Sequence, residues 1–166
     1  GHIEKTWDYN ALTDHPKLNL NKKLLLELAE KDWNFAKLSS KPWIDNDIVL
    51  TLENRQWDWS LVSKNKSIIP DLNLLRLFED KDDINWRSIV KNPNLHLTLD
   101  TVKILNKQRE INENCWNILS NHKKLDFREQ PDLLYKYRNF WDWQSLVKGK
   151  KFDINELELL DKYENY

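Results

Sequence analysis

Residues 57–65 read WDWSLVSKN, which combines a helix-start signal with a pair of tryptophans. Related phrases return as INWRSIVKNP at residues 84–93 and as WDWQSLV at residues 141–147. The aromatic residue in third place of each phrase, here called the marker aromatic, recurs every 24 to 30 residues. The six marker aromatics are Tyr9, Phe35, Trp59, Trp86, Trp116 and Trp143. This spacing predicts six structural repeats, at 7–32, 33–56, 57–83, 84–110, 111–140 and 141–166.

A helix is predicted to begin at each marker aromatic. The preceding residue is Asp or Asn in five of the six repeats, at Asp8, Asn34, Asp58, Asn85 and Asp142. Such side chains accept hydrogen bonds from the free N–H groups of a helix start. An apolar residue precedes each of these caps and an aliphatic one follows five positions later, which predicts a hydrophobic staple such as Trp7 on Leu12. The fifth repeat departs from the pattern, because Asn114 and Cys115 stand there and Cys115 occupies the N-cap position.

Each first helix is predicted to end soon, because residues that tolerate a left-handed backbone conformation, often followed by proline, stand six or seven positions after its marker aromatic. The residues at this sixth position are His15, Lys41, Asn65, Asn92, His122 and Gly149. Helical spacing of apolar residues predicts a second helix in every repeat. These second helices are expected at 22–31, 47–54, 72–81, 99–107, 132–139 and 156–163. Their predicted caps are Asn21, Asn46, Asp71, Thr98 and Asn155.

Two short helices cannot bury their apolar faces alone, whereas stacked neighbours can. The expected fold is therefore all-α, an α-solenoid of about six helix-turn-helix repeats that forms a single domain over residues 3–166. Gly1 and His2 are interpreted as the remnant of a cleaved tag, and the Met-free sequence suggests a fragment of a larger protein. The periodic tryptophans are predicted to be core residues. Trp43 lies outside the repeated positions and is the preferred exposed aromatic.

The three tryptophan phrases resemble the tandem tryptophan-rich repeats, of pattern W-x-W-x-x-L-S-x-N-P, that occur in giant-virus proteins and some bacterial multidomain proteins. The resemblance covers nearly the whole chain. It implies an array of α-helical repeats and says almost nothing about function.

Composition excludes several classes of protein. Two glycines among 166 residues leave no room for a glycine-dependent phosphate loop, which argues against the common nucleotide-binding enzymes. A single cysteine cannot form an internal disulfide, so an intracellular, cytoplasmic location is expected. No apolar run approaches the length of a membrane span, and no membrane association is predicted.

No residue pattern indicates catalysis. His15 and His122 lie four repeats apart and are expected to be turn residues too distant to share a metal, while His96 has no Cys or His at ligand spacing. Cys115 lacks an identifiable histidine base, so it is interpreted as a small residue in an irregular repeat. Most carboxylates are interpreted as caps or as solvated residues. The chain is therefore predicted not to be an enzyme, with no catalytic residue, metal or cofactor.

Basic residues outnumber acidic ones in the turns that join first to second helices, although the whole chain carries a net charge of −1. These lysines either complement helix C-termini and keep the surface soluble, or they bind a partner. The candidate binding residues are Lys64, Lys66, Lys91, Lys123, Lys124, Lys148, Lys150, Lys151 and Trp43. The leading hypothesis is a protein-binding or scaffolding module. The alternative is nucleic-acid binding along the lysine-rich edge, with little sequence preference because arginine is scarce.

Overall fold

The computed structural model describes residues 5–152, and all regular secondary structure within them is α-helical. The all-α class is therefore confirmed for this part of the chain. The helices are α1 (Tyr9–Leu12), α2 (Lys22–Glu27), α3 (Phe35–Leu38), α4 (Asn46–Thr51), α5 (Trp59–Lys64), α6 (Leu72–Glu79), α7 (Trp86–Lys91), α8 (Leu99–Asn106), α9 (Glu113–Ser120), α10 (Pro131–Lys136) and α11 (Trp143–Lys148). None of these helices is long and apolar enough to cross a membrane.

The described residues form two compact units, each with its own buried core. The first unit contains residues up to Ile69 together with Asp80–Asn85, and the second contains Pro70–Glu79 together with the residues from Trp86 onward. Leu38 and Val62 are fully buried in the first unit, as are Phe78 and Phe127 in the second. Burial of such side chains supplies the main driving force for folding of each unit.

The predicted helix starts are confirmed in the regular repeats, where α1, α3, α5, α7 and α11 all begin at the marker aromatic. The carboxylate of Asp58 accepts a hydrogen bond from the Leu61 N–H at 2.9 Å, which satisfies one of the free donors of the first turn. Equivalent cap bonds are made by Asp8, Asn34 and Asp142.

A hydroxyl group four residues after the marker aromatic joins consecutive repeats in four places. The Ser39 hydroxyl donates to the Phe35 carbonyl of its own helix at 2.7 Å and accepts the Asp58 N–H of the next repeat at 2.9 Å. We call this arrangement a hydroxyl bridge. The same acceptor distance of 2.9 Å recurs in the other three bridges, from Thr13 to Asn34, from Ser63 to Asn85 and from Ser120 to Asp142.

The fifth repeat starts its helix earlier than predicted, which corrects the assignment of Cys115 as an N-cap. Val90 occupies the bridge position of the fourth repeat, and its side chain has no oxygen to accept a hydrogen bond. The N–H that would need that acceptor belongs to Cys115, and it donates instead to Oδ1 of Asn112 at 3.2 Å. Asn112 thereby becomes the N-cap, α9 begins at Glu113, and Cys115 lies buried in its first turn.

The predicted left-handed helix ends are wrong. Within the described residues only Asp83 and Lys150 have a positive φ, and Gly149 has a φ of −80°. Four side chains at the sixth position instead accept the backbone N–H two residues later, as Asn65 Oδ1 does from Ser67 at 3.1 Å. The other three are His15, Asn92 and His122. Asn and His therefore act by mimicking a backbone turn.

The five second helices within the described residues lie where they were predicted but end one to four residues earlier. Asn21 and Thr98 are confirmed as their caps, and Asp71 accepts the Leu74 N–H at 2.9 Å. Asn46 is not the cap of α4, because Asp45 takes that place and accepts the Ile48 N–H. The amide of Asn46 instead bonds the backbone of Ile69. The helix predicted at 156–163 and its cap Asn155 lie outside the described residues.

The tryptophans are mostly but not all core residues. Five are buried, namely Trp33, Trp57, Trp86, Trp116 and Trp141. Trp7 is 57% exposed, so the prediction that it is covered is wrong, and Trp43 is half-buried rather than exposed. The indole N–H of Trp33 donates to the carbonyl of Leu28 and that of Trp57 to Leu52, both at 2.9 Å.

Leu28 and Leu52 are the C-terminal caps of α2 and α4. The last carbonyls of a helix have no hydrogen-bond partner within that helix. The indole groups therefore close these helix ends. This is a role that phenylalanine could not fill, because only tryptophan combines a large apolar ring with an N–H donor.

Candidate binding grooves

The eight candidate lysines all lie in or beside the turns that follow first helices. Lys64 ends α5, Lys91 ends α7 and Lys148 ends α11. Lys151 is half-buried and the other seven are exposed. Lys64 and Lys66 belong to the first unit and the remaining six to the second. The structure brings four of them, Lys64, Lys66, Lys91 and Lys123, to the rims of grooves.

The first basic groove lies in the first unit and has a volume of about 330 Å³. Pro42 and Ser40, from the turn after α3, form one wall. Leu61, Lys64 and Lys66 form the other. Leu61 is 36% exposed, so the groove offers an aliphatic surface beside two ammonium groups.

The second basic groove lies in the second unit and has a volume of about 440 Å³. Pro93 and Lys91, from the end of α7 and its following turn, form one wall. Ile118, His122 and Lys123 contribute to the other. The ammonium groups of Lys91 and Lys123 are exposed, while Ile118 is half-buried.

The two basic grooves are built from the same repeat positions. Pro42 and Pro93 stand seven residues after their marker aromatics. Leu61 and Ile118 each stand two residues after the next marker aromatic, and the lysines Lys66 and Lys123 stand seven residues after it. An aliphatic side chain, a proline and a basic rim therefore occur together at the same repeat positions in both grooves, one of which lies in each unit.

The rim lysines have no carboxylate partner among residues 5–152, since every ion pair within 4.0 Å there involves other basic residues. Lys37 and Lys41 differ, because both pair with Asp14, at 3.0 and 3.1 Å. Hydrogen bonds from these two ammonium groups lower the pKa of Asp14. The positive charge of the rims is thus available to a ligand, whereas that of Lys37 and Lys41 is locally compensated.

His122, which lines the second basic groove, is fixed by two hydrogen bonds. Its Nδ1 accepts the Lys124 N–H at 3.2 Å, and its Nε2 lies 2.9 Å from the Asn92 carbonyl, to which it donates. Burial lowers the pKa of His122 against the opposing effect of that hydrogen bond, and the nearby lysines lower it further. A neutral imidazole therefore holds the turn that carries Lys123.

The structure does not bring the remaining candidates into these grooves. Trp43 lines neither groove, and neither do Lys124, Lys148, Lys150 or Lys151. Lys151 instead donates from Nζ to the carbonyl of His122 at 2.9 Å. Cys115 is fully buried, with its Sγ 3.5 Å from the Glu110 carbonyl. Among residues 5–152 no group of three or more His, Cys, Asp or Glu side chains is placed to hold a metal ion.

Sequence reasoning missed the apolar half of both grooves. The prediction from sequence gives no binding role to Pro42, Pro93, Leu61 or Ile118. Proline recurs seven residues after three of the marker aromatics, but a large aliphatic residue stands two residues after a marker only at Leu61 and Ile118. Comparison with protein-family models, with curated proteins and with solved structures finds no match for the chain. The function of the chain is therefore inferred from the geometry of its grooves.

Proposed function

We propose that this chain is a non-enzymatic protein-binding or scaffolding module of a larger intracellular protein, in which helix-turn-helix repeats stack as an α-solenoid. The resemblance to tandem tryptophan-rich arrays is part of this proposal, and the hydroxyl bridges between consecutive repeats support it. The observation that carries the binding role is the presence of the same basic groove in both units. Solenoids bind partners through extended surfaces that successive repeats build together.

The chemistry of the basic grooves favours an acidic, extended protein segment with an aliphatic residue between its carboxylates. Pro42 and Leu61 offer an apolar surface for the aliphatic side chain. Lys64 and Lys66 offer ammonium groups for the flanking carboxylates, and electrostatic complementarity of this kind supplies specificity and speeds association. Pro93, Ile118, Lys91 and Lys123 repeat the arrangement in the second unit.

Calorimetric titration with the peptide EDLEDLEDL tests this proposal. The protein is expected to bind two peptides, one in each basic groove. The double variant Lys64→Glu with Lys66→Glu should bind one peptide, and so should Lys91→Glu with Lys123→Glu. The matched control, Lys17→Glu with Lys103→Glu, reverses two exposed lysines outside both grooves and should retain two sites.

The peptide EDAEDAEDA separates the two contributions, because it keeps the charges and lacks the leucines. It should bind at least about 5-fold more weakly, since several buried methylene contacts are lost. Undiminished binding of EDLEDLEDL to the two groove variants would remove the grooves from the proposal.

The second candidate function is nucleic-acid binding, which the unpaired rim lysines and the exposed Lys124, Lys148 and Lys150 favour. Phosphate contacts would make the affinity fall steeply with salt, and lysine rather than arginine would give little sequence preference. A mobility-shift titration on single- and double-stranded DNA and RNA at two ionic strengths tests it. Salt-sensitive binding of nucleic acid without binding of EDLEDLEDL would favour this candidate over the first.

A further inference from the structure

A third groove, of about 590 Å³, lies in the second unit beside the start of α9 and of α11. Its lining combines aromatic rings, among them Phe140 and Trp143, with the primary amides of Asn117, Asn139 and Gln144. We call it the aromatic–amide groove. Its volume falls within the range of small-molecule sites, which join an apolar surface to a few polar groups.

The aromatic surface of this groove is held in place by a buried support. The ring of Phe140 stacks on that of Trp116, with centroids 4.9 Å apart and planes 29° from parallel. Trp116 is buried and also makes an edge contact with Trp141 at 5.0 Å. Phe140 nevertheless remains 47% exposed, so a fixed aromatic ring is presented where a ligand can reach it.

The amide groups of the groove are free to bind. The side chains of Asn117, Asn139 and Gln144 make no hydrogen bond to any residue between 5 and 152, and all three are exposed. Each primary amide offers two donors and an acceptor. This mixture matches hydroxyl groups, which both donate and accept.

The charge of the groove disfavours an anionic ligand. Neither lysine nor arginine lines it, while Glu113 and Asp142 do. The Ser145 hydroxyl donates to Asp142 at 2.6 Å and lowers the pKa of that carboxyl, which therefore stays ionised. Glu113 stands in the first turn of α9, where its charge is partly offset by the helix dipole. A neutral ligand therefore fits better than a phosphate or a nucleic acid.

The groove also coincides with the departure from the repeat pattern. Asn112 and Glu113, which line it, form the early start of α9, in the repeat that follows the bridge position without a hydroxyl at Val90. Places where a sequence breaks its own local rules are often functional sites. We infer that the aromatic–amide groove binds a neutral saccharide, with one pyranose ring stacked on Phe140. The inference rests on the exposed aromatic ring, the primary amides, the absence of basic lining residues and the position of the groove at the irregular repeat.

Titration of the ¹⁵N-labelled full chain with maltotriose, cellotriose and triacetylchitotriose tests this inference by NMR. At least one trisaccharide should shift the indole N–H resonance of Trp143 and the side-chain amide resonances of Gln144, and leave the indole of Trp33 unchanged. Phe140→Ala should weaken that binding about 5-fold, because it removes the stacking surface. Gln144→Ala should weaken it about 3-fold through loss of a hydrogen bond.

Two exposed residues of the first unit provide matched controls. Trp7→Ala removes an exposed aromatic ring and Gln56→Ala an exposed amide, and neither should change the saccharide affinity. Absence of shifts with all three trisaccharides would overturn the inference. So would equal binding by Phe140→Ala, or shifts of the same resonances by choline chloride alone, which would identify the ligand as an organic cation.

Discussion

The junction between the second and third repeats and the junction between the fourth and fifth solve the same problem in different ways. At the first, the Ser39 hydroxyl accepts the Asp58 N–H across the repeat boundary. At the second, the Val90 side chain has no hydrogen-bond acceptor. The Cys115 N–H instead donates to Oδ1 of Asn112, which belongs to the same repeat. The comparison shows that the backbone donor must be satisfied at every junction, whereas the link between repeats can be given up.

A second link is common to both junctions. Asn65 donates from Nδ2 to the carbonyl of Lys41 at 3.0 Å, and His122 donates from Nε2 to the carbonyl of Asn92 at 2.9 Å. Both bonds join the sixth position of one repeat to the sixth position of the repeat before it. The fourth and fifth repeats, which lack a hydroxyl bridge, are joined by this link and by the bond from Gln130 Nε2 to the Leu97 carbonyl at 2.8 Å, and the link at His122 involves a titratable side chain.

The largest effect is expected from removal of a hydroxyl bridge. Ser39→Ala should lower the free energy of unfolding by about 2 kcal/mol, because it leaves the Asp58 N–H without its acceptor. Ser39 is fully buried, so water cannot replace it. Urea denaturation followed by circular dichroism measures the loss. Ser40→Ala, an exposed neighbour, is the matched control, and an equal loss there would show that the bridge itself is unimportant.

A smaller loss is expected at the irregular junction. Asn112→Ala should lower the free energy of unfolding by about 1 kcal/mol, since it removes an N-cap from an eight-residue helix. Asn114→Ala changes a neighbouring exposed asparagine and should have less effect in the same denaturation assay. If Asn112→Ala and Asn114→Ala were equally stable, the conclusion that the Asn112 cap replaces a hydroxyl bridge at this junction would be wrong.

A hydroxyl group restored at position 90 tests whether the bridge and the cap can replace one another. Val90→Thr alone should destabilise the protein, because it buries a hydroxyl next to an N–H already in use. In an Asn112→Ala background the new hydroxyl can accept the Cys115 N–H. Val90→Thr should therefore lower the free energy of unfolding by about 0.5 to 1 kcal/mol less in that background than in the wild-type protein. A double-mutant cycle measures this coupling, and simple additivity would argue against an exchange between bridge and cap.

The smallest effect is a dependence of stability on pH. Because the pKa of His122 is lowered in the folded protein, the unfolded chain binds the proton more readily. Its contribution to stability is therefore complete above the usual histidine pKa of about 6.5 and is lost as the pH falls below it. Lys123, Lys124 and Lys151 surround His122 and oppose its protonation.

His122→Asn supplies the control for this dependence, because asparagine fills the same position in two other repeats and carries no titratable proton. Denaturation midpoints measured between pH 7.5 and 5.5 should fall for the wild-type chain and stay more nearly level for the variant. Parallel curves for the two proteins would exclude His122 as the source.

Helix starts could be predicted from the sequence because their signals are local. Asp58 and the marker aromatic Trp59 are neighbours, and the cap bond spans three residues. The start of α9 was not predicted, since its cap Asn112 stands four residues before the marker aromatic Trp116 and not directly before it. The predicted helix ends are wrong because Asn and His favour two different structures at such a position. They can adopt a left-handed backbone, or their side chains can accept a nearby N–H and form a turn, as Asn65 and His122 do.

The candidate site was predictable only in part. Lys64, Lys66, Lys91 and Lys123 stood out by charge, and the structure places all four at groove rims. The apolar walls could not be assigned from a single repeat, because each groove joins the turn of one repeat to the helix of the next. The position of Trp43 outside the repeat pattern predicts an exposed ring, yet the ring is half-buried, because position in the pattern does not determine exposure.

The closure of helix ends by side chains has a consequence for the unfolded chain. Glycine, the usual residue at such ends, gives an unfolded polypeptide many extra conformations that folding must eliminate. Here Trp33 and Trp57 close two second helices through their indole groups, and Asn65 and Asn92 form the turns after two first helices. The unfolded chain consequently has fewer conformations, so folding loses less conformational entropy. This smaller loss helps helices of only four residues, such as α1 and α3, to form.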